Sequence, residues 1–171
     1  MMDVGAKVPA LELLDGEGKS LRLEELRGKK AVLFFYPKDM TTGCMQEAQD
    51  FRDQHAAFTK AGAVVVGVSP DPVKSHAKFA AKESLPFRLL ADVDKAVCQA
   101  FGVWAEKSMY GRKYMGVERS TFVVGPDGVV THAWRKVKVP GHVAEVLAAV
   151  RGGPAPAPAK AKAKAKAKKK G

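Results

Sequence analysis

Apolar positions fall into two alternating periods along this chain. "AVLFFY" (31–36) is a continuous apolar run that reads as a buried strand, stopped by Pro37. The period then changes. Cys44, Ala48, Phe51, His55 and Phe58 recur at helical spacing and predict one helix face that ends at Gly62. "AVVVGVS" (63–69) is uncharged and β-branched, a second buried strand. Pro70 and Pro72 open a helix over about 73–83. "FRLLAD" (87–92) reads as a short strand and turn, and "DKAVCQAFG" (94–102) as a short helix that Gly102 can close. Further on, "STFVV" (120–124) and "VVTHAW" (129–134) flank "GPDG", a hairpin signal, and "PGHVAEVLAAV" (140–150) reads as a closing helix. Near the start, "DGEGKS" (15–20) is a turn, and "SLRLEELRGKK" predicts a short helical turn ending at Gly28.

Buried strands alternating with helices predict an α/β fold, and the late hairpin predicts a mixed sheet. Residues 1–150 are expected to form one domain. Hydrophobic residues make up 46% of the chain, enough for a packed core. No apolar run approaches the roughly 20 residues of a membrane span. The opening residues lack a basic stretch followed by an apolar block, so a cytoplasmic rather than secreted protein is expected. Two cysteines make neither a disulfide framework nor a four-cysteine zinc site.

Charge divides the chain. Of the net +11, seven charges are the lysines between Lys160 and Lys170, and removing them leaves +4 on the rest. Residues 151–171, "RGGPAPAPAKAKAKAKAKKKG", carry Pro-Ala repeats and mutually repelling lysines and no large apolar side chain. A disordered basic tail is expected there. It has two readings: a solvated, solubilising segment, or one that binds nucleic acid through salt-sensitive phosphate contacts.

The candidate chemistry sits where the first strand hands over to the first helix, in "YPKDMTTGC" (36–44). A free cysteine is most often a small buried apolar residue, and Cys98 fits that description on its short helix. Cys44 fits it less well. Free N–H groups at a helix start favour a thiolate. Thr41, three residues earlier, would lie on the same side, able to accept a hydrogen bond from a substrate and to donate one to the sulfur. Pro37 would close the strand end against water. Other cysteine chemistries fail on spacing. A phosphatase loop wants an arginine at position 50, which is Asp50, and a C-x-x-C pair is missing because position 47 is Glu47. His55, His76, His132 and His142 carry no local protease signature.

Pro37, Thr41 and Cys44 match the P-x-x-x-T-x-x-C motif of peroxiredoxins. With "FGVWAEK", "YGRKYMG" and "ERSTFVV" behind it in order, the chain resembles the bacterioferritin comigratory protein, or peroxiredoxin Q, subgroup over about residues 3–150. The resemblance implies a thioredoxin-like fold, a central mixed sheet with helices on both faces. It implies thiol-dependent reduction of hydrogen peroxide and organic hydroperoxides with no cofactor and no metal. It makes Cys44 the peroxidatic cysteine, Thr41 and Arg119 its hydrogen-bonding partners, Pro37 the shield, and Glu47 a support for the arginine. Read from the residues alone, Arg119 would be an exposed strand-end charge. Thr42 replaces a proline usual in the subgroup. The resolving cysteine that many members carry is replaced by Gln49, and the alternative position by Ala80 or Ala81. One-cysteine behaviour is therefore expected, with thioredoxin, glutaredoxin or glutathione as external reductant. A Cys44–Cys98 disulfide is the competing route, and a thiol–disulfide oxidoreductase without peroxidase activity is the competing enzyme. Members of the subgroup are often monomers, and a monomer is expected.

Overall fold

The structure, a computed structural model, describes residues 2–152; from residue 153 on, the expected tail, with Lys160–Lys170, lies outside the described residues. Nine strands and five helices follow in the order β1 (Glu12–Asp15), β2 (Ser20–Arg22), β3 (Lys30–Phe35), α1 (Thr42–Asp53), α2 (His55–Lys60), β4 (Ala63–Ser69), α3 (Val73–Glu83), β5 (Arg88–Ala91), α4 (Ala96–Ala100), β6 (Trp104–Met109), β7 (Arg112–Val117), β8 (Ser120–Val124), β9 (Val130–Trp134) and α5 (His142–Val150). Seven strands make one sheet in the order β2-β1-β5-β4-β3-β8-β9, and β6 and β7 pair only with each other. β3, β4 and β5 run parallel, while β8 runs antiparallel to β3, so the sheet is mixed.

β3 lies inside the sheet, between β4 and β8, and is covered on both faces, which is why its sequence reads as an unbroken apolar run. Its alternate residues enter two different cores. Val32, Phe34 and Tyr36 pack with Cys44, Ala48 and Phe51 of α1, Phe58 of α2, Phe79 of α3 and Val146 and Leu147 of α5. Ala31, Leu33 and Phe35 pack with Val97, Cys98 and Phe101 of the α4 region, with Val103 just before β6 and with Val117 at the end of β7. Helices therefore cover both faces, with four on one side and α4 on the other.

Two expected elements differ. The helix predicted across Cys44 to Phe58 divides at Gln54, where φ is −104° and ψ is 7°, into α1 and α2. Its apolar face survives the break, with the Phe51 and Phe58 rings 5.6 Å apart. Side-chain periodicity reports which positions are buried and is blind to a backbone corner that keeps them buried. "SLRLEELRGKK" divides into strand β2 and a 3-10 turn over Leu23–Leu26. Leu21 and Leu23, two residues apart, are both buried, which is strand rather than helix spacing. The β6–β7 ribbon was not foreseen. Four of the six β7 residues, Arg112 to Met115, are exposed whether charged or apolar, so no alternation marks it.

Candidate active site

Cys44 is the third residue of α1, because Thr41 is the cap and Thr42 the first helical position. At that place the backbone N–H groups of the first turn have no partner within the helix and point, with the positive end of the helix dipole, toward the start of α1. Met45 N–H makes the first helical bond, to Thr41 O at 2.8 Å.

Arg119 reaches the same point from a remote part of the chain. β8 pairs with β3 so that Ser120 stands opposite Phe35, which places Arg119 beside the strand end that leads into α1. Its Nη2 donates to Cys44 Sγ at 3.3 Å, and its Nη1 donates to Glu47 Oε1 at 2.7 Å. Glu47 follows Cys44 by three residues, so both side chains leave the same face of α1. Gly43 makes room for this approach: a Cβ there would stand 3.1 Å from Arg119 Nη2. Cys44 is only 1% exposed, so its sulfur is buried yet bonded to a cation.

The carboxyl of Glu47 is wholly buried, and its Oε2 has no hydrogen-bond partner among the described residues. Burial pushes Glu47 up to about 7, against the downward pull of the Arg119 charge. Arg119 is held above its ordinary value: burial opposes its charge, and Glu47 and Cys44 together outweigh burial. His142 opens α5 and shares a 2.8 Å hydrogen bond between its Nε2 and Thr121 Oγ1. Burial first, and the Arg119 charge second, push it down to about 3. Lys107 of β6 is held below its ordinary value by burial and by Arg119, while Cys44 and Glu118 pull it up. Lys107 thus belongs to the electrostatic surroundings of the thiol. Nothing in the sequence places β6 there.

Thr41 lies beside the thiol in sequence, but its role differs from expectation. Its Oγ1 donates to Lys38 O at 2.9 Å, so the hydroxyl proton is committed and is not given to the sulfur. The hydroxyl oxygen keeps its lone pairs as acceptors. Pro37 is half-buried and follows the buried Tyr36. Met40 takes φ +64°, the left-handed region, which costs a non-glycine residue roughly 1–2 kcal/mol.

Cys98 lies in the opposite core, across the sheet from Cys44. Its N–H donates to Asp92 Oδ2 at 2.7 Å, and burial, followed by Asp92, pushes its thiol far above the ordinary value. Gln49 donates to Glu83 Oε1 at 2.6 Å, tying α1 to α3.

A thioredoxin-like mixed sheet with a thiol at a helix start, held by a guanidinium, defines a class: thiol-dependent oxidoreductases that act on an anionic or anion-forming group. The comparisons then give the family. The AhpC/TSA family model matches residues 4–133. Peroxiredoxin Bcp of Bacillus subtilis is 48% identical over 150 residues, covering 88% of this chain and 96% of the relative. Peroxiredoxin Bcp of Xanthomonas campestris is 47% identical over 155 residues, covering 88% and 97%. Among solved structures, Xanthomonas campestris peroxiredoxin Q superimposes with a TM-score of 0.82 at 46% identity, covering 88% of this chain and 96% of that one. Structures of the Xanthomonas bacterioferritin comigratory protein with a trapped intermediate or ligand concern its alkyl peroxide reduction. The chain belongs to the AhpC/TSA family and is a peroxiredoxin of the Bcp/peroxiredoxin Q type, a thiol-dependent peroxidase.

Proposed function

We propose that Cys44 is the peroxidatic nucleophile and that hydrogen peroxide and organic hydroperoxides are the substrates. The observation that carries this reading is the 3.3 Å contact from Arg119 Nη2 to Cys44 Sγ at the start of α1. The thiolate attacks the distal oxygen of ROOH. An S–O bond forms, the O–O bond breaks, and Cys44 becomes a sulfenic acid. The leaving alkoxide takes up a proton and departs as alcohol, or as water when R is hydrogen. Arg119 and the N–H groups of the first turn stabilise the charge that moves onto the leaving oxygen. Thr41, with its proton held by Lys38 O, offers an acceptor to the peroxide O–H. Pro37 shields the strand end, and Glu47 holds the guanidinium in place.

The sulfenic acid is returned to thiol by an external reductant of the thioredoxin, glutaredoxin or glutathione kind. One thiol condenses with it, releasing water and leaving a mixed disulfide, which a second thiol opens. Two features support this route over an internal disulfide. Gln49, Ala80 and Ala81 occupy the positions where a resolving cysteine is expected, and Cys98 packs in the other core. The alkyl peroxide reduction of the Xanthomonas relative supports the organic substrates. No helix among the described residues is long and apolar enough to cross a membrane. A cytoplasmic monomer is proposed separately, on the resemblance to the subgroup.

The test is peroxide consumption with a thioredoxin system and with glutathione, for wild type, Cys44→Ser and Cys98→Ser. Loss in Cys44→Ser and retention in Cys98→Ser are expected. Turnover by Cys44→Ser would remove the assignment. An intramolecular Cys44–Cys98 bridge, seen by non-reducing mass spectrometry after one equivalent of peroxide, would replace the one-cysteine route.

A further inference from the structure

A second buried polar cluster adjoins the thiol loop and takes no part in the chemistry above. It ties together the C-terminal ends of the parallel strands β3, β4 and β5. Asp39, in the loop between β3 and α1, is 6% exposed and accepts three side-chain hydrogen bonds. Tyr36 Oη donates to Oδ1 at 2.6 Å, and Ser75 Oγ donates to Oδ2 at 2.7 Å. His76 Nδ1 lies 2.8 Å from the same Oδ2. The backbone N–H of Asp39 donates to Asp71 Oδ2 at 2.7 Å, and Ser69 Oγ donates to that oxygen as well. His76 is wholly buried in α3, and its Nε2 lies 3.0 Å from Leu90 O of β5.

Asp39, Asp71 and His76 lie close enough to hold a metal ion. The bonded oxygens of Asp39 and Asp71 already accept protein donors, however, and the cluster reads as a closed hydrogen-bond network. The proton inventory of His76 is more informative. Asp39 receives hydrogen bonds from two hydroxyls, as an ionised carboxylate does. One ring nitrogen of His76 then faces a carboxylate and the other faces a backbone carbonyl. Both partners are acceptors, and a neutral ring has only one N–H. A ring carrying a proton on each nitrogen satisfies both acceptors at once, and that charge pair with Asp39 is part of the proposal. The groups facing this ring are Asp39 and Tyr36 from the thiol loop and strand end, the Asp71 carboxylate within 4.8 Å from the loop after β4, and the Leu90 carbonyl from β5, while Ser75 of the same helix bonds Asp39.

The loop that this pair holds runs from Tyr36 to Thr41. It includes Met40 in the left-handed region and Thr41 with its hydroxyl committed to Lys38 O. A backbone so constrained persists only where its surroundings over-determine it. We propose that the Asp39–His76 charge pair is a positioning device for the peroxidatic loop. The pair fixes Asp39, Asp39 fixes the turn at Met40, and the turn sets Thr41 and the first N–H groups of α1 around the sulfur. His76 touches no substrate and acts through Asp39. The inference rests on the assignment of Cys44 as nucleophile.

The experiment reads ring protonation and chemistry separately. In reduced protein labelled with 15N-histidine near neutral pH, the His76 ring, identified by its loss in His76→Asn, is expected to show two slowly exchanging N–H protons. Asp39→Asn is expected to leave one. Stopped-flow oxidation of Cys44 by hydrogen peroxide is expected to slow about 10- to 100-fold in folded Asp39→Asn and His76→Asn, the scale of an ångström-level misplacement. Alkylation of Cys44 by iodoacetamide, which needs no oriented peroxide, is not expected to fall in parallel. Ser75→Ala, which removes one donor and leaves the pair, provides a milder variant and is expected to lose a few-fold. A singly protonated ring in wild type overturns the proposal, and so does wild-type oxidation in folded Asp39→Asn. Peroxide turnover by Cys44→Ser would overturn the nucleophile assignment instead and leave the ring signature intact.

Discussion

Arg119 is the residue on which the site turns. Its guanidinium is divided between the Cys44 sulfur and the Glu47 carboxyl, and each partner draws on the same charge. Arg119→Met keeps the length of the side chain and removes every donor. Loss of one well-placed donor to a developing oxyanion commonly costs about 10²- to 10³-fold in rate. A fall of that size in the second-order rate of Cys44 oxidation is expected, read by stopped-flow fluorescence. Glu47 makes a prediction about stability. Folding raises its carboxyl from an ordinary 4.5 to about 7. Between those values the folded protein holds a proton that the unfolded chain has lost, so this group's contribution falls as pH rises through the window. His142, lowered to about 3, works the other way, and stability falls as pH drops from 6.5 toward that value. The comparison of wild type with Glu47→Gln isolates the carboxyl. Urea unfolding at pH 5 and pH 8 is expected to show the variant gaining on wild type at the higher pH, by up to about 3 kcal/mol. An unchanged difference between the two pH values would show that Glu47 stays ionised throughout.

At the scale of elements, the site depends on how closely β3 and β4 pack. Gly67, in the middle of β4, sits where a Cβ would approach Leu89 Cδ2 and Phe34 Cζ to 2.8 Å each. The Phe34 ring occupies that space and stacks on Phe51 of α1 at 4.6 Å. Gly67→Ala is expected to destabilise the fold by roughly 1–3 kcal/mol, the usual cost of overpacking a filled core, measured as a lower urea midpoint. Much of this architecture was legible in the sequence. β4, α3 and β8 span the stretches that their apolar patterns mark, because buried faces impose strict periodicity. The corner at Gln54 and the β6–β7 ribbon were not legible. One keeps its apolar face through the turn, and the other has too little buried surface to leave a pattern.

For the whole molecule, the sheet is a partition. Cys44 belongs to the core on one side and Cys98 to the core on the other, so each cysteine reacts in its own surroundings. The C-terminal lysines pose a separate question. α5 ends at Val150, whose carbonyl accepts from Lys30 Nζ at 2.7 Å, and Arg151 N–H closes the helix on Leu147 O at 3.0 Å. A chain ending at Gly152 keeps both contacts. It is expected to retain peroxidase activity and melting temperature within error. If the lysines bind nucleic acid, the full chain will shift DNA in a gel at low salt and lose it steeply as salt rises, while the shortened chain will not. Equal binding by both would remove the tail from the account.

By itself the sequence determined the alternation of buried strands and helices, the junction at which Cys44 stands, and the family motif of Pro37, Thr41 and Cys44. Those are local properties, written in periodicity and in neighbours a few residues apart. Only the tertiary structure decided that Arg119 meets Cys44 across 75 positions, that Lys107 shares their field, and that His76 grips Asp39. Such partners are chosen by strand register and by which face of the sheet a helix covers. Neither quantity has a signature in the spacing of residues along the chain.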